Sequence, residues 1–309
     1  MIENQLALRQ VKRIVTHANC GDGMASAMIL RDAFNYFPPV EFVHYDTPEH
    51  RNMEVTEGVI FCDFSPHPDL AAQFLEAGAI VLDHHKTAKP IVSQFVKAGQ
   101  GVFGDEELEP GVCGATLAYQ HVWRAHPTGE QHPNVALRVE EFAIVAGVYD
   151  TWQTDSEYWN DAVAQQEALK FWDTGALLDA RPSTWAKFLG VGATLVSRKS
   201  YAVDKAINAS IRQNANGVRV CMFQGVTETS MAAEWLGDKV DLVVGFDYTA
   251  DDGLPKIIYS LRSHTGFDCG AFCKGHGGGH TAAAEFKQQA RVDPYSQFFG
   301  ILFDWQQRQ

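Results

Sequence analysis

Residues Asp83-His84-His85 close a short aliphatic run, Ala79-Ile80-Val81-Leu82, and set one carboxylate beside two adjacent imidazoles. Imidazole nitrogen and carboxylate oxygen are the usual ligands of borderline divalent metals, and neighbouring side chains at a strand end can divide the work between metal and substrate. An isolated His pair also has a plainer reading, with one ring packed in the core and the other solvated. Three further segments repeat the pattern. Val11 to His17 runs into Ala18-Asn19-Cys20-Gly21-Asp22-Gly23, Gly58 to Asp63 into Phe64-Ser65-Pro66, and Phe142 to Asp150 into Thr151-Trp152. Each is an apolar segment that ends on Asp or His and then turns. A polar group where a buried strand emerges at its carboxyl end lies where open α/β sheets bind ligands.

The order of His17 with Asp22-Gly23, then Asp63, Asp83-His84-His85 and Asp150 resembles the four signature motifs of the DHH phosphoesterase family. Gly277-Gly278-Gly279-His280 resembles the glycine-rich signature of that family's associated C-terminal domain, so the likeness spans residues 17 to 280. The resemblance implies two divalent cations held by His17, Asp22, Asp63, His84 and Asp150, with Asp63 bridging. It implies a catalytic group of Asp63, Asp83, His84 and His85, with His85 contacting substrate phosphate. Two imidazoles and three carboxylates suit Mn²⁺, or Mg²⁺, better than a thiolate-loving metal. Three carboxylates leave one positive charge over from two divalent ions, which a bridging hydroxide would balance. Two cations about 3.5–4 Å apart would lower that water's pKa and stabilise the attacking and leaving oxygens of an in-line phosphoryl displacement.

Motif one departs from the commonest family forms, which place a second carboxylate in this loop. Asn19, Cys20 and Gly21 stand at the equivalent positions, and only Asp22 remains. Either the Asn19 amide oxygen or a Cys20 thiolate could fill the gap, and a thiolate would weaken the preference for hard cations. Cys20 can equally be a small buried hydrophobe.

Residues 277–279 are consecutive glycines that let backbone N–H groups converge on an anion, and Thr281-Ala282-Ala283-Ala284 after His280 reads as a helix start. Arg262 closes the strand Ile257 to Leu261 in a Ser-Leu-Arg-Ser pattern like the family's, and Arg can grip phosphate through two parallel hydrogen bonds. The substrate-binding set is therefore His85, Arg262, Gly278, Gly279 and His280.

The elements that must position these groups alternate. Strands are predicted at Val11 to Thr16, Val40 to Tyr45, Val59 to Asp63 and Ala79 to Leu82, with helices at Met24 to Phe34 and Pro66 to Ala77 between them. That alternation predicts βαβ units and a parallel sheet with helices on both faces. Residues 100–112 read as an acidic exposed loop, and Gly114-Ala115-Thr116 opens a helix to about Ala125 whose start either holds an anion or is merely capped. Phe142, Val145 and Tyr149 fit helical spacing as well as they fit a buried strand; the resemblance favours a helix. Trp152, Trp159, Trp172 and Trp185 read as packing in a mostly helical region. Gly192 to Gln213 reads as a long amphipathic helix, ended by Asn214-Ala215-Asn216-Gly217. Beyond it strands at Val218 to Gln224, Val240 to Phe246 and Lys256 to Arg262, with a helix at Met231 to Leu236, predict a smaller α/β domain. The expected division is 1–189 for the metal-binding domain, 190–216 for a helical linker and 217–309 for the substrate-binding domain.

With 309 residues, 46% hydrophobic and 20% charged, the chain can bury two ordinary cores. A net charge of −13 argues against a surface that holds long duplex nucleic acid by neutralising phosphates. A small anion remains a fitting partner, because bound cations reverse the field locally. Six scattered Cys, no charged-then-apolar leader and no apolar run near the ~20 residues of a membrane span lead us to expect a cytoplasmic protein. The expected activity is Mn²⁺-dependent hydrolysis of short oligonucleotides or cyclic or linear dinucleotides, by a chain that could act as a homodimer. Pyrophosphate or polyphosphate hydrolysis, or nucleotide sensing by a decayed site, are the alternatives.

Overall fold

A computed structural model describes residues 11–34, 37–105, 107–125, 133–171, 173–251, 254–274, 277–280 and 282–308. The chain divides into two units, Met1–Val196 and Ser197–Gln309. In the first, β1 (Arg13–His17), β2 (Val40–Val43), β3 (Val59–Cys62), β4 (Ile80–Asp83) and β5 (Gly101–Phe103) form a wholly parallel sheet in the order β2-β1-β3-β4-β5. Its helices are α1 (Gly21–Ala33), α2 (Pro48–Arg51), α3 (Pro68–Glu76), α4 (Lys89–Lys97), α5 (Gly114–Ala118), α6 (Pro133–Asp150), α7 (Trp159–Phe171) and α8 (Thr174–Asp179). Helix α9 (Pro182–Asn208) carries the chain across the division.

Strand alternation sends neighbouring residues to opposite faces. Ile14, Ile60 and Ile80 join one core with Met28 and Ile29 of α1, Leu117 of α5 and Phe142 of α6. Val15, Phe61 and Val81 join another with Phe74 of α3 and Phe95 of α4. Phe74 and Phe95 are wholly buried, which stabilises by about 1.5–3 kcal/mol each. A sheet covered on both sides explains the near-continuous apolar strands. Helix α1 closes with the Phe34 N–H bonded to the Leu30 carbonyl, and Pro38-Pro39 downstream cannot continue a helical ladder.

In the second unit β6 (Ile211–Ala215), β7 (Val218–Gln224), β8 (Leu242–Asp251), β9 (Leu254–Arg262), β10 (Gly277–His280) and β11 (Ala283–Gln289) form a mixed sheet in the order β10-β11-β9-β8-β7-β6. Only β7 and β8 pair in parallel, with α10 (Thr229–Leu236) between them in sequence; the other ladders are antiparallel. Helices α11 (Cys269–Cys273) and α12 (Pro294–Gln306) pack Phe272, Phe298 and Leu302 on Met222, Val244 and Tyr259, while α10 covers Cys221, Phe223 and Val243.

Four sequence expectations change here. The long helix ends at Asn208, and Ile211–Ala215 is a strand paired with Val218 to Met222 across an Asn216-Gly217 turn. Both turn residues have positive φ, 49° and 89°, the two-residue hairpin geometry that Asn-Gly favours. Of the predicted helix start at Thr281-Ala282-Ala283-Ala284, Thr281 lies outside the described residues and Ala283-Ala284 open β11, while the triple glycine is a strand rather than a loop. A Cβ on Gly277 would lie 2.1 Å from the Glu285 carbonyl oxygen and 2.6 Å from the Phe286 Cβ, so glycine there permits close strand packing. Residues 101–103 of the presumed loop form β5, whereas the segment ending at Asp150 is a helix, α6, the alternative that the resemblance favoured.

Candidate functional site

Strand β1 lies between β2 and β3, so the chain leaves β1 to one side and later returns on the other, and the crevice between the carboxyl ends of β1 and β3 is a topological switch point. His17 ends β1, Asp63 follows β3, Asp83 ends β4, and His84 and His85 come directly after it. The expected ligands that flank these strand ends arrive on helices: Asp22 in the first turn of α1 and Asp150 at the end of α6.

Asp63 adopts a left-handed backbone, φ 56°, while its N–H stays bonded to the Leu82 carbonyl at 3.0 Å. Asp is among the few residue types that tolerate this conformation, and such outliers gather at functional sites. The turn aims a buried carboxylate at His84, whose Nε2 lies 3.2 Å from Asp63 Oδ1, 3.3 Å from Asp150 Oδ2 and 3.7 Å from Asp22 Oδ2. One ring nitrogen can hydrogen-bond one of these oxygens well; three carboxylates around it call for positive charge. Asp63 Oδ2 is buried with no hydrogen-bond partner among the described residues. Burial, and then the negative Asp22 and Asp150, push the Asp63 carboxyl well above the usual carboxylate range.

Asp22 is held from behind. Its oxygens accept the Gly114 N–H at 2.6 Å and the Ala115 N–H at 2.8 Å, so the anion at the start of α5 is the chain's own side chain. Gly114 is required for this contact, since a Cβ there would sit 2.4 Å from the Asp63 Cβ and 2.9 Å from Asp22 Oδ2. Cys113 caps α5 reciprocally with Thr116.

His17 carries a buried Nδ1 without a hydrogen-bond partner. Burial, followed by the positive fields of His85 and His44, lowers its pKa, which suits a neutral ring with a free lone pair. Cys20 lies close by and burial, ahead of the nearby carboxylates, raises its thiol pKa. Asn19 is exposed and turns its amide to His44 Nε2 at 3.3 Å. Three groups bring possible ligand atoms within 4.8 Å of one another: His17, Cys20 and Asp63; Asp63, His84 and His85; Asp22, His84 and Asp150. Asp63 and His84 each belong to two of these groups. The orphaned Asp63 oxygen, the orphaned His17 nitrogen and the crowding at His84 fit a pocket built for more than one cation.

Asp83, expected among the catalytic residues, faces inward instead. It is wholly buried and its oxygens accept from His85 Nδ1 and backbone N–H, the Ser65 hydroxyl and the Tyr45 hydroxyl. Burial opposes its ionisation, but the His85 and Ser65 hydrogen bonds prevail and hold its carboxyl below the usual range. These bonds hold the ring of His85, which is one-third exposed, through its Nδ1.

In the second unit Arg262 and His280 sit on the strands either side of β11, both in register with Ala283, and Gly279 and Gly278 follow opposite Ala284 and Glu285. The Arg262 guanidinium donates to Ser230 Oγ at 3.0 Å and to the Leu261 carbonyl at 2.7 Å. Some contributors carry no local sequence signal. A Cβ on Gly21 would lie 1.5 Å from Gln166 Oε1, so α7 presses directly on the motif-one loop. A pocket of ≈ 380 Å³ opens beside that loop, lined by Asn19, Cys20, Met24, Phe42, Lys170 and Thr174 among others. Trp185 is buried as expected of a packing residue, whereas Trp152 is 45% exposed at φ 56° and Trp172 falls outside the described residues.

No protein-family model matches the sequence, and no curated protein matches it either. Solved structures do. A pGpG-specific phosphodiesterase from Vibrio cholerae is 12% identical over 96% of this chain and 98% of its own, with a TM-score of 0.53. The DHH domain of a protein described as belonging to a family of ribosomal proteins is 14% identical over 98% and 87%, with a TM-score of 0.57. An exopolyphosphatase-related protein from Bacteroides fragilis is 10% identical over 98% and 94%, with a TM-score of 0.53. Over 96–98% of its length the chain matches these structures, and it shares the DHH fold.

Proposed function

We propose that this chain, built on the DHH fold, is a divalent-metal-dependent phosphodiesterase that hydrolyses short oligonucleotides or dinucleotides. The observation that carries the reading is the crowding of Asp22, Asp63 and Asp150 around one nitrogen of His84, with a buried Asp63 oxygen left unpartnered. His17, Asp22, Asp63, His84 and Asp150 are the residues we assign to two cations, Mn²⁺ before Mg²⁺ because two imidazoles join the three carboxylates. Two such ions supply an activated water and neutralise charge on a phosphoryl group.

The chain's own residues do the rest. The α5 N-terminus fixes Asp22, the turn at Asp63 fixes the shared carboxylate, and Asp83 fixes the ring of His85. With Nδ1 committed to Asp83, Nε2 is the atom His85 offers to a phosphate oxygen. We assign phosphate and nucleotide contacts in the second unit to Arg262, Gly278, Gly279 and His280. The Vibrio phosphodiesterase, which acts on a dinucleotide and matches along nearly its whole length, supports a substrate of that class.

The test is turnover of a dinucleotide, a short oligonucleotide and pyrophosphate with Mn²⁺, in the wild type and Asp63→Ala. The wild type should cleave the dinucleotide fastest and the variant should be inactive. Equal rates in both proteins, or none in either, would remove the proposal. The exopolyphosphatase-related neighbour favours a second reading, phosphoanhydride hydrolysis, which faster phosphate release from pyrophosphate would establish. Tight dinucleotide binding without metal and without turnover would identify a sensor.

A further inference from the structure

Sulfur is the unassigned chemistry of the first unit. The motif-one loop must supply whatever joins His17 and Asp63 on their side of the pocket, and the structure narrows the source. Asn19 is exposed, with its amide nitrogen engaged by His44. Gly21 can carry no side chain, because Gln166 Oε1 fills the space. Cys20 alone converges, with a ligand atom within 4.8 Å of those of His17 and Asp63. An ion bonded to each at about 2.0–2.3 Å requires neighbouring ligand atoms no farther apart than about 4–4.6 Å, so small side-chain shifts suffice.

Two further observations point to an ion rather than to packing. Asp63 is 1% exposed with Oδ2 unpartnered, and His17 Nδ1 is buried and unpartnered in the same group. Cys20 holds the N-cap position of α1 without a side-chain capping hydrogen bond.

We propose that His17, Cys20 and Asp63 form a mixed nitrogen, sulfur and oxygen seat that selects a thiophilic divalent ion, Zn²⁺, Co²⁺ or Fe²⁺, over Mn²⁺ or Mg²⁺. The group of Asp22, His84 and Asp150 is then the seat for the harder ion, and the pocket is built for two different metals. On binding, the Cys20 thiol proton passes to solvent as the sulfur–metal bond forms, and no oxidation state changes. The inference rests on the two-cation reading of the pocket, and is independent of what the enzyme hydrolyses.

Cobalt reports the thiolate directly. Co²⁺ titrated into metal-free full-length protein should raise a near-ultraviolet thiolate-to-cobalt charge-transfer band that saturates at one equivalent, is abolished by Zn²⁺ and persists in excess Mn²⁺. Cys20→Ser should bind Co²⁺ without the band, and Cys113→Ser, altering the nearest capping cysteine, should keep it. Cys20→Asp should lose the band and gain Mn²⁺ affinity at this seat by roughly tenfold or more. Co²⁺ bound without the band in wild type, or a band unchanged in Cys20→Ser, overturns the inference; the wild-type and Cys20→Asp spectra decide if Cys20→Ser does not fold. A band in a protein that cleaves no phosphodiester leaves this inference standing and sinks the proposed activity. Turnover with no band does the reverse.

Discussion

Asp83 holds His85 twice through one oxygen: Oδ1 accepts from the ring Nδ1 at 2.7 Å and from the backbone N–H at 3.0 Å. The other oxygen accepts the hydroxyls of Ser65 and Tyr45, and Tyr45 in turn accepts the Ser65 N–H at 3.2 Å. This network, centred on the buried Asp83 and Ser65, fixes the rotation of the His85 ring and leaves Nε2 as its uncommitted nitrogen. Asp83→Asn replaces an acceptor with a donor facing hydroxyls already in use. It should lower kcat by about 10–100-fold while Mn²⁺ affinity stays near wild type. Steady-state kinetics beside calorimetric metal titration checks it; unchanged kcat with weakened metal binding would show Asp83 serving the metals instead.

Gly114 lets α5 approach α1 and β3 closely enough to bind Asp22. An added methyl would meet Asp63 Cβ at 2.4 Å and Ser26 Oγ at 2.7 Å, both in buried residues. Gly114→Ala should therefore destabilise by about 1–3 kcal/mol and weaken metal binding by displacing Asp22. Urea midpoints and Mn²⁺ titrations would reveal it, and a variant equal to wild type in both would mean that the helix start tolerates a shift.

The metal-free pocket stores repulsion. Because the folded-state pKa of Asp63 is raised, unfolding releases a proton, and the metal-free protein should lose stability as pH rises above the unfolded carboxylate value of about 4. Asp63→Asn should flatten that decline. Mn²⁺, which binds the folded state alone, should raise the wild-type Tm and a chelator should reverse the rise. The variant, which keeps Asp22, His84 and Asp150, should show a reduced response to both. Thermal melts with and without metal from about pH 5 to about pH 8 decide the matter; a full Mn²⁺ response in Asp63→Asn counts against the shared-carboxylate role.

The ligand types were legible because each ends an apolar segment, and three of those segments are strands of one parallel sheet. The fourth, ending at Asp150, is a helix, and periodicity could not separate a buried helix from a buried strand over that length. What joins Asp22 to Gly114 was hidden by 92 residues of separation, and Gln166 fills the space at Gly21 from a still more remote helix. In the second unit an alanine run has strong helix propensity, yet pairing with β9 prevails. Buried Ala284 and Phe286 alternating with exposed Glu285 and Lys287 was the period-two signal that propensity masked. Asn216-Gly217 was likewise a hairpin signal read as a boundary.

The second unit has an acid-sensitive clasp of its own. Asp241, just before β8, accepts from the Arg219 backbone N–H at 2.7 Å, from Nε at 3.1 Å and from Nη2 at 2.7 Å. The Arg219 hydrogen bonds hold the Asp241 carboxyl down at about 2, against the mild opposing effect of burial. A depressed folded-state pKa contributes stability that is complete above the unfolded value of about 4 and is lost as pH falls through the folded one. Both side chains are partly exposed, so screening makes the contribution modest and salt-dependent. Asp241→Asn should be less stable than wild type at neutral pH, and the gap should close as pH falls from about 4 towards 2. Urea denaturation followed by tryptophan fluorescence at each pH measures the gap, and a difference that persists unchanged to the lowest pH would mean that packing, not the ion pair, sets the effect.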